Sequence, residues 1–308
     1  MKNFSIDNPV FQELLDLNLI KKKNLEIINF RTRDYKSLNV YQDKISKIIF
    51  LDKYKKKKTF YEKKKLNRKL IGNKSFSIFN KKKIKTLNLD DQKRRANEFK
   101  DRFKNKKVLD FGCGDGGFLK NIKKYTRYAY GIEVNNVHLN KLKNKVKIYQ
   151  KLEDIDFKLD FITLFHVLEH LPSQIKILKS LKKKLKKNGK LILEVPHAND
   201  FLLRLNHKEF KNFTFWSEHL ILHTEKSIKK FLFSAGFNKI KVNHYQRYDL
   251  SNHAGWINDK KPGGHLNYSN LFHNSEKELY NEFLINTGMT DTLLIEATIW
   301  KKNTIFLQ

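Results

Sequence analysis

The sequence predicts an α/β fold, a mostly parallel seven-stranded sheet with helices on both faces, preceded by a small accessory region. Three observations support this prediction. From Lys107 onwards, short apolar runs alternate with amphipathic segments of helical length, and a glycine-rich turn follows the first run. In addition, 40% of the residues are hydrophobic, which supplies enough apolar area for a core. Strands alternating with helices indicate βαβ units and therefore a parallel sheet.

The individual elements follow from these runs in chain order. Strands are predicted over KVLDFG, YAYGIEV, KVKIYQ, DFITLFHV, KLILEVP, KIKVNHYQRY and DTLLIEATIW. Helices are predicted over GFLKNIKKY, NNVHLNKLKNK, SQIKILKSLKKKLKKNG and TEKSIKKFLFSAGF, the third of them ended by Gly189. Residues 249–289 are rich in Asn, His and Gly. They are predicted to form a cover or substrate loop between the last two strands.

Residues 1–95 show weaker periodicity and are predicted to form an accessory region before a main domain over 96–308. We expect solvated lysine clusters there, at Lys55 to Lys58, Lys63 to Lys65 and Lys81 to Lys83. Four elements are also expected. These are a helix over Pro9 to Asn18, strand-like runs over Leu25 to Phe30 and Ile45 to Leu51, and a helix over Asp90 to Phe103 with acidic residues in its first turn.

The composition excludes several classes of protein. The single cysteine, Cys113, forbids an internal disulfide and a cysteine-rich zinc site, so no metal is predicted. The N-terminus lacks an uninterrupted apolar stretch, and no run approaches about 18 apolar residues, so neither a signal peptide nor a membrane span is expected. We therefore expect a cytoplasmic protein.

A formal net charge of +32 raises the possibility of a nucleic-acid partner, because clustered basic side chains neutralise phosphates. Only nine of the 64 basic residues are arginine, however, and the 55 lysines are spread over every segment. Proteins that bind phosphates and base edges favour the bidentate guanidinium group. The charge is therefore interpreted mainly as a solvated basic surface.

The glycine-rich turn VLDFGCGDGGFL carries the main chemical signal. Glycines at 112, 114 and 116 allow a sharp turn and a close approach of a ligand to the backbone. The second predicted strand ends near Glu133, where a carboxylate can accept hydrogen bonds from both hydroxyls of a ribose. A dinucleotide or S-adenosylmethionine would suit this geometry. A dinucleotide loop normally lacks an acid inside the strand, whereas here Asp110 precedes the first glycine by two positions.

With these residues the chain resembles class I S-adenosylmethionine-dependent methyltransferases, which have a Rossmann-like fold and a first motif of the form V-L-D-x-G-C-G-x-G. The resemblance covers about Lys107 to Ile299 and implies S-adenosyl-L-methionine as cofactor. It implies that Asp110 orients the loop or the amino group, that Glu133 holds the ribose, and that His166 contacts the methionine end. It also implies that Gly112, Cys113, Gly114 and Gly116 of the turn contact the cofactor, and that Leu152, Glu153 and Asp154 lie near its adenine.

The acceptor is to be sought near the carboxyl ends of the fourth and fifth strands. Bases considered there are His166, His170, His197, Glu218, His219 and His223. The stretch FWSEHLILH is similar to the acceptor-binding segment of nucleotide-sugar C-methyltransferases, whose aromatic-x-Glu-His motif has the His as proton acceptor. The resemblance implies catalytic roles for His219, assisted by Glu218, and for His170. Trp216 and Ser217 depart from the usual Tyr and His, and the cysteines of that group's N-terminal zinc domain are absent.

The resulting prediction is a methyltransferase acting on a small-molecule acceptor, a sugar or nucleotide-sugar. Two alternatives remain at this point. One is an RNA or DNA methyltransferase, favoured by the charge, although the base-stacking Asn/Asp-Pro-Pro-aromatic motif is replaced by FHVLEHLP. The other is a module that keeps the fold without catalysis. The choice between C-, O- and N-methylation stays open.

Overall fold

The computed structural model describes residues 6–55, 81–142 and 146–299. The chain divides into two units. The first contains the described parts of Met1–Lys55, His166–Leu178 and Leu193–Glu296, and the second contains those of Lys56–Phe165, Lys179–Ile192 and Ala297–Gln308. The predicted boundary at residue 95 stays a prediction. The predicted lysine clusters Lys55 to Lys58 and Lys63 to Lys65 lie, apart from Lys55, outside the described residues, as do the side chains of Lys81 to Lys83.

A seven-stranded sheet has the order β10-β11-β8-β7-β4-β5-β6. The pairs β4–β5, β4–β7 and β5–β6 are parallel, so the predicted α/β fold is confirmed. The strands are β4 (Lys107–Phe111), β5 (Tyr128–Ile132), β6 (Lys147–Tyr149), β7 (Leu159–Phe165), β8 (Leu185–Pro196), β10 (Lys239–Tyr245) and β11 (Thr292–Thr298).

Helices connect these strands. Those before and within the first half of the sheet are α2 (Lys81–Phe103), α3 (Gly117–Ile122), α4 (Asn136–Leu142) and α5 (Gln174–Lys184). The remaining ones are α1 (Pro9–Asp16), α6 (Phe201–Arg204), α7 (Lys208–Thr214), α8 (Glu225–Ser234), α9 (Leu250–Asp259), α10 (Gly264–Asn267) and α11 (Asn274–Asn286). Among the described helices, none is both long and apolar enough to cross a membrane.

A second sheet lies wholly in the first unit and has the order β1-β2-β3-β9. Its strands are β1 (Leu25–Asn29), β2 (Val40–Asp43), β3 (Ile49–Leu51) and β9 (Ile221–Leu222), and all three pairs are antiparallel. Asn8, the N-cap of α1, reinforces the β3–β9 junction, because its side-chain amide donates to the carbonyls of Leu51 and Leu220 at 2.8 and 2.9 Å. The N-terminal strands are therefore completed by a segment from the second half of the chain.

Aromatic side chains form much of the core of the second unit. Phe103 of α2 meets Phe161 of β7 edge-on with 4.9 Å between ring centroids. Phe118 of α3 meets Phe165 in the same way at 4.9 Å. Such pairs add about 0.5–1.5 kcal/mol to the free energy gained from burying the rings. They fix α2 and α3 against β7, the strand that pairs with β4 before the glycine-rich turn.

Four sequence-based boundaries require correction. The helix predicted to end at Gly189 ends at Lys184, because Leu185 already belongs to β8. The predicted strand Ile45 to Leu51 contains the β2–β3 turn, whose amides at Ile45 and Ser46 donate to Asp43. The helix predicted from Asp90 begins at Lys81, so its acids are not in the first turn. Residues 249–289 form three helices rather than a loop.

Candidate cofactor turn and acid–base cluster

The glycine-rich turn of the second unit connects β4 to α3. Gly112, Gly114 and Gly116 have φ values of 77°, 54° and 69°, a backbone conformation that residues other than glycine rarely adopt. A Cβ at Gly116 would lie 2.4 Å from the Cδ2 of Leu142, whereas a Cβ at Gly114 would meet nothing within 4 Å. The space beside Gly114 is therefore open to a ligand that approaches the backbone.

Glu133 follows β5, is buried, and binds the turn directly. One carboxylate oxygen accepts from the Gly114 N–H at 2.8 Å. The other accepts from the N–H groups of Val134 and Asn135 at 2.8 and 2.7 Å. A carboxylate has about four lone-pair sites, so one remains for a ligand hydroxyl. Glu133 thus shapes the turn in addition to the ribose role predicted for it.

Asp110 and Cys113 are both buried in the turn. Asp110 accepts a hydrogen bond from the Thr163 hydroxyl at 2.7 Å, and burial raises the pKa of its carboxyl to about 7. Burial also raises the pKa of the Cys113 thiol, which therefore stays protonated at neutral pH. The Sγ of Cys113 would lie 2.6 Å from a Cβ at Gly131, so the thiol packs against that glycine.

The predicted adenine residues form a turn between β6 and β7. Leu152 is buried, whereas Glu153 and Asp154 are exposed, and the carbonyl of Leu152 accepts from the Ile155 N–H at 3.3 Å. This arrangement offers one apolar and two acidic side chains from consecutive positions. Their contact with an adenine stays a prediction.

His166 begins the second group of candidate residues, which lies in the first unit. It directly follows β7 and has a φ of 54°. Its Nδ1 lies 3.4 Å from a carboxylate oxygen of Glu169, and its Nε2 lies 4.0 Å from Glu194. Both carboxylates are 0% exposed. The guanidinium of Arg247 approaches the same Nε2 at 3.4 Å. Ionisable side chains therefore lie beside both ring nitrogens of His166: Glu169 at Nδ1, and Glu194 and Arg247 at Nε2.

His170 and His219 come together through a reciprocal backbone arrangement. The Leu220 N–H donates to the carbonyl of Glu169 at 2.9 Å, while the Nδ1–H of His170 donates to the carbonyl of Glu218 at 3.1 Å. A carbonyl can only accept, so this bond leaves the His170 Nε2 as the basic nitrogen of a neutral ring. The His170 and His219 ring centroids are 4.9 Å apart.

The side chains of Glu169, His170 and His219 are close enough to hold a metal ion. One possible ligand atom from each of these residues lies within 4.8 Å of the others. A carboxylate and two imidazoles suit several divalent cations, and the bond from His170 Nδ1 to a carbonyl is the usual support of a metal-bound histidine. The same three side chains can also serve proton transfer, which is the role predicted for His170 and His219. The predicted assistance by Glu218 stays a prediction, since its contact described above is made by the backbone carbonyl.

Two residues near this cluster were not predicted. Asp34 accepts hydrogen bonds from both the N–H and the hydroxyl of Ser217. The guanidinium of Arg33 lies 4.0 Å from the ring centroid of Phe213 and 4.6 Å from that of Trp216. Arg33 is one of only nine arginines in a lysine-rich chain, and this rarity is the sequence signal that could have identified it.

Two other histidines considered as bases are buried. His223 is enclosed by Gln174 and Ser227, whose oxygens lie 2.8 and 3.0 Å from its ring nitrogens, and burial lowers its pKa to about 3. His197 has its Nδ1 at 2.9 Å from the carbonyl of Thr290, and burial lowers its pKa to about 4. Both rings are therefore neutral at physiological pH, and His223 has no ring nitrogen available to an acceptor.

Comparison with known proteins agrees with this architecture. Residues 84–242, just over half of the chain, match the family described as a methyltransferase domain. The chain therefore belongs to the methyltransferase-domain family, and its fold is that of the class I S-adenosylmethionine-dependent methyltransferases.

Two curated relatives are similar over part of their length. An uncharacterised protein of Methanocaldococcus jannaschii is 32% identical over 136 residues, which cover 42% of this chain and 56% of that protein. A ubiquinone biosynthesis O-methyltransferase of Coxiella burnetii is 27% identical over 107 residues, covering 31% and 46%. The chain thus spans about half the length of these curated relatives.

Two solved structures are similar in fold. A SAM-dependent methyltransferase from Archaeoglobus fulgidus is 19% identical, with a TM-score of 0.47 and coverage of 68% of this chain and 93% of that one. Magnesium protoporphyrin IX methyltransferase from Synechocystis PCC 6803, solved with bound SAH, is 15% identical, with a TM-score of 0.46 and coverage of 72% and 88%.

Proposed function

We propose that the protein transfers a methyl group from S-adenosylmethionine to a small-molecule acceptor, a sugar or nucleotide-sugar of surface-polysaccharide or related biosynthesis. The observation that carries the proposal is the pair of His170 and His219 rings, 4.9 Å apart and close to the buried Glu169. An acceptor group that must lose its proton needs a base at its side, and imidazole is the usual one.

The cofactor fits the turn of the second unit. The open space at Gly114 admits a ligand against the backbone, and the remaining lone-pair site of Glu133 can accept a ribose hydroxyl. When bound, the cofactor supplies an electrophilic methyl group on a sulfonium. The contacts predicted for Gly112, Cys113 and Asp110, and for the adenine turn at 152–154, belong to this proposal.

The chain's own residues would act on the acceptor in two ways. The basic Nε2 of His170 and the imidazole of His219 take up the proton of the attacking group. The reciprocal bonds between the Glu169–His170 and Glu218–Leu220 segments hold both rings in place, which favours the alignment that displacement at a methyl group requires.

A methyl-transfer assay with radiolabelled S-adenosylmethionine tests the proposal. The acceptors are a panel of nucleotide-sugars and free sugars, a catechol, and transfer RNA, each measured with the wild-type protein and with His219→Ala. We expect label on a sugar or nucleotide-sugar and loss of transfer in the variant. Label on RNA or on the catechol alone would overturn the acceptor, and failure to bind the cofactor would overturn the activity.

A further inference from the structure

The first unit contains a cavity of about 600 Å³ that plays no part in the site described above. It lies between strands β1 to β3 on one side and, on the other, the residues after β8 together with α6 and α7. Its volume falls in the range typical of small-molecule sites. None of its lining residues belongs to the glycine-rich turn or to the acid–base cluster.

Three basic side chains line the cavity. Lys47 stands in the β2–β3 turn, Arg204 ends α6, and Lys211 lies in α7. Lys211 is only 9% exposed, and its ammonium donates to two neutral acceptors, the carbonyl of Ile28 at 2.8 Å and the side-chain oxygen of Asn206 at 2.6 Å. Burial penalises this charge and the carboxylate of Glu26 offsets part of the penalty, so a further anion in the cavity would stabilise the ammonium.

The cavity contains few opposing charges. Among the described residues that line it, Glu26 is the one acid, and its carboxylate lies 3.6 Å from the ammonium of Lys44. Arg204 and Lys47 are exposed at the rim. Three cations against one carboxylate suit a ligand with more than one negative charge, and a guanidinium binds phosphate oxygens in pairs.

The remaining walls combine apolar surface with amide groups. Ile28, Ile49 and Leu203 form an apolar floor that continues into the buried core of the unit. Gln42 and Asn199 also line the cavity, and each uses its NH₂ group toward a backbone carbonyl, that of Lys47 at 3.2 Å and that of Gly288 at 2.7 Å. Their side-chain oxygens can accept from a ligand. A hydrocarbon tail would leave these oxygens unpaired, whereas a nucleobase has both a flat face and polar edges.

We propose that this cavity binds a nucleoside diphosphate, with its phosphates on Lys47, Arg204 and Lys211 and its base over Ile28, Ile49 and Leu203. One part of the inference rests on the proposed function: if the acceptor is a nucleotide-sugar, the bound nucleoside diphosphate is the part of the acceptor that carries the sugar. The binding itself follows from the charges and the shape of the cavity.

Calorimetry with UDP, GDP and dTDP tests the proposal, with pyrophosphate and uridine as partial ligands. We expect at least one nucleoside diphosphate to bind more tightly than pyrophosphate, and uridine to bind least. Arg204→Ala should weaken that binding about ten- to hundredfold, the usual effect of losing a charge-assisted contact. Lys208→Ala provides the matched control, because Lys208 is an exposed cation in the same region that does not line the cavity. Lys47→Ala should act like Arg204→Ala.

The outcomes separate the two proposals. Failure of all three diphosphates to bind the folded wild-type protein, or equal weakening by Lys208→Ala and Arg204→Ala, overturns the cavity proposal. Binding that Arg204→Ala weakens, without methylation of any nucleotide-sugar, supports the cavity and refutes the acceptor. Methylation of a nucleotide-sugar with the same KM in Arg204→Ala as in the wild type overturns the cavity proposal and leaves the methyltransferase activity standing.

Discussion

Asp34 binds both polar groups of Ser217, although 183 residues separate the two positions in the chain. Its carboxylate accepts from the Ser217 N–H at 2.9 Å and from the Ser217 hydroxyl. Burial would raise the pKa of Asp34, but the hydrogen bonds from Ser217 and Thr32 outweigh that effect and lower it. An N-terminal carboxylate thereby fixes the residue immediately before Glu218 and His219.

We expect Asp34→Ala to destabilise the protein by about 1.5–3 kcal/mol, the usual contribution of hydrogen bonds to a charged group. Ser217→Ala should remove the hydroxyl contact, and the double variant should lose less than the sum of the single ones, because the two residues interact directly. Denaturant unfolding measures all three free energies. Because the folded-state pKa is lowered, the stabilisation should be present above about pH 4 and lost as the pH falls through the folded-state pKa. Strict additivity would contradict the interaction.

Gly114→Val should abolish cofactor binding while leaving the fold detectable by circular dichroism. The new side chain would meet no protein atom near its Cβ, but it would occupy the space open to the ligand, and the φ of 54° adds strain of about 1–2 kcal/mol. Gly116→Ala is the comparison variant. Its Cβ would clash with Leu142, so this substitution should lower the melting temperature of the protein as well as its affinity for the cofactor. Unchanged affinity in Gly114→Val would refute the assignment of the turn.

Replacement of Glu133 should affect both ligand affinity and the turn itself. Glu133→Ala removes the acceptors of three N–H groups and the predicted ribose contacts, so affinity should fall roughly tenfold to more than a hundredfold. In Glu133→Gln one amide NH₂ group must face an N–H donor, so this variant should also lose stability in the absence of cofactor. Calorimetry and thermal melting separate the two effects. Wild-type affinity in both variants would mean that the carboxylate serves the fold alone.

His219→Ala should lower the single-turnover rate of methyl transfer by about 10² to 10⁴, the usual contribution of a general base. Cofactor affinity should stay nearly unchanged, because the cofactor contacts proposed for the glycine-rich turn do not involve this side chain. His170→Ala is measured in parallel, because the proposed function gives both imidazoles the role of proton acceptor. If His170 proves essential and His219 dispensable, the proton acceptor is His170 and the prediction for His219 is wrong.

Asp110 should make the stability of the protein depend on pH. Its pKa is raised to about 7 by burial, against about 3.9 in an unfolded chain, so the folded state retains a proton that the unfolded state has lost. The free energy of unfolding should therefore fall as the pH rises from about 4 to 7, by several kcal/mol at most. Asp110→Asn should lack this component when unfolding is measured at pH 5 and pH 8. An identical pH dependence in both proteins would contradict the buried, protonated carboxyl.

The sequence was informative where local patterns determine structure. The parallel strands and the turn with its three glycines were predicted, because apolar runs and glycines with positive φ leave local signals. The helices over 250–286 were missed because Asn, His and Gly are poor helix formers. Gly255 and Gly264 instead permit close packing of α9 and α10, where a Cβ at Gly255 would lie 2.4 Å from the Cα of Gly264. The roles of Asp34 and Arg33 depend on contacts with residues about 180 positions away, which no local pattern contains.

The pairing of β3 with β9 has a consequence for the nascent chain. Phe50 pairs with Ile221, so about 170 residues must be translated before the edge of β3 receives its partner. At about 5–20 residues per second, that interval is roughly 10 to 30 s. During this time the β1–β3 ribbon has an uncovered edge that can pair with other chains. We therefore expect this protein to be most prone to aggregate during its synthesis on crowded polysomes. A holdase chaperone should improve the yield most when it acts before residue 222 has emerged from the ribosome.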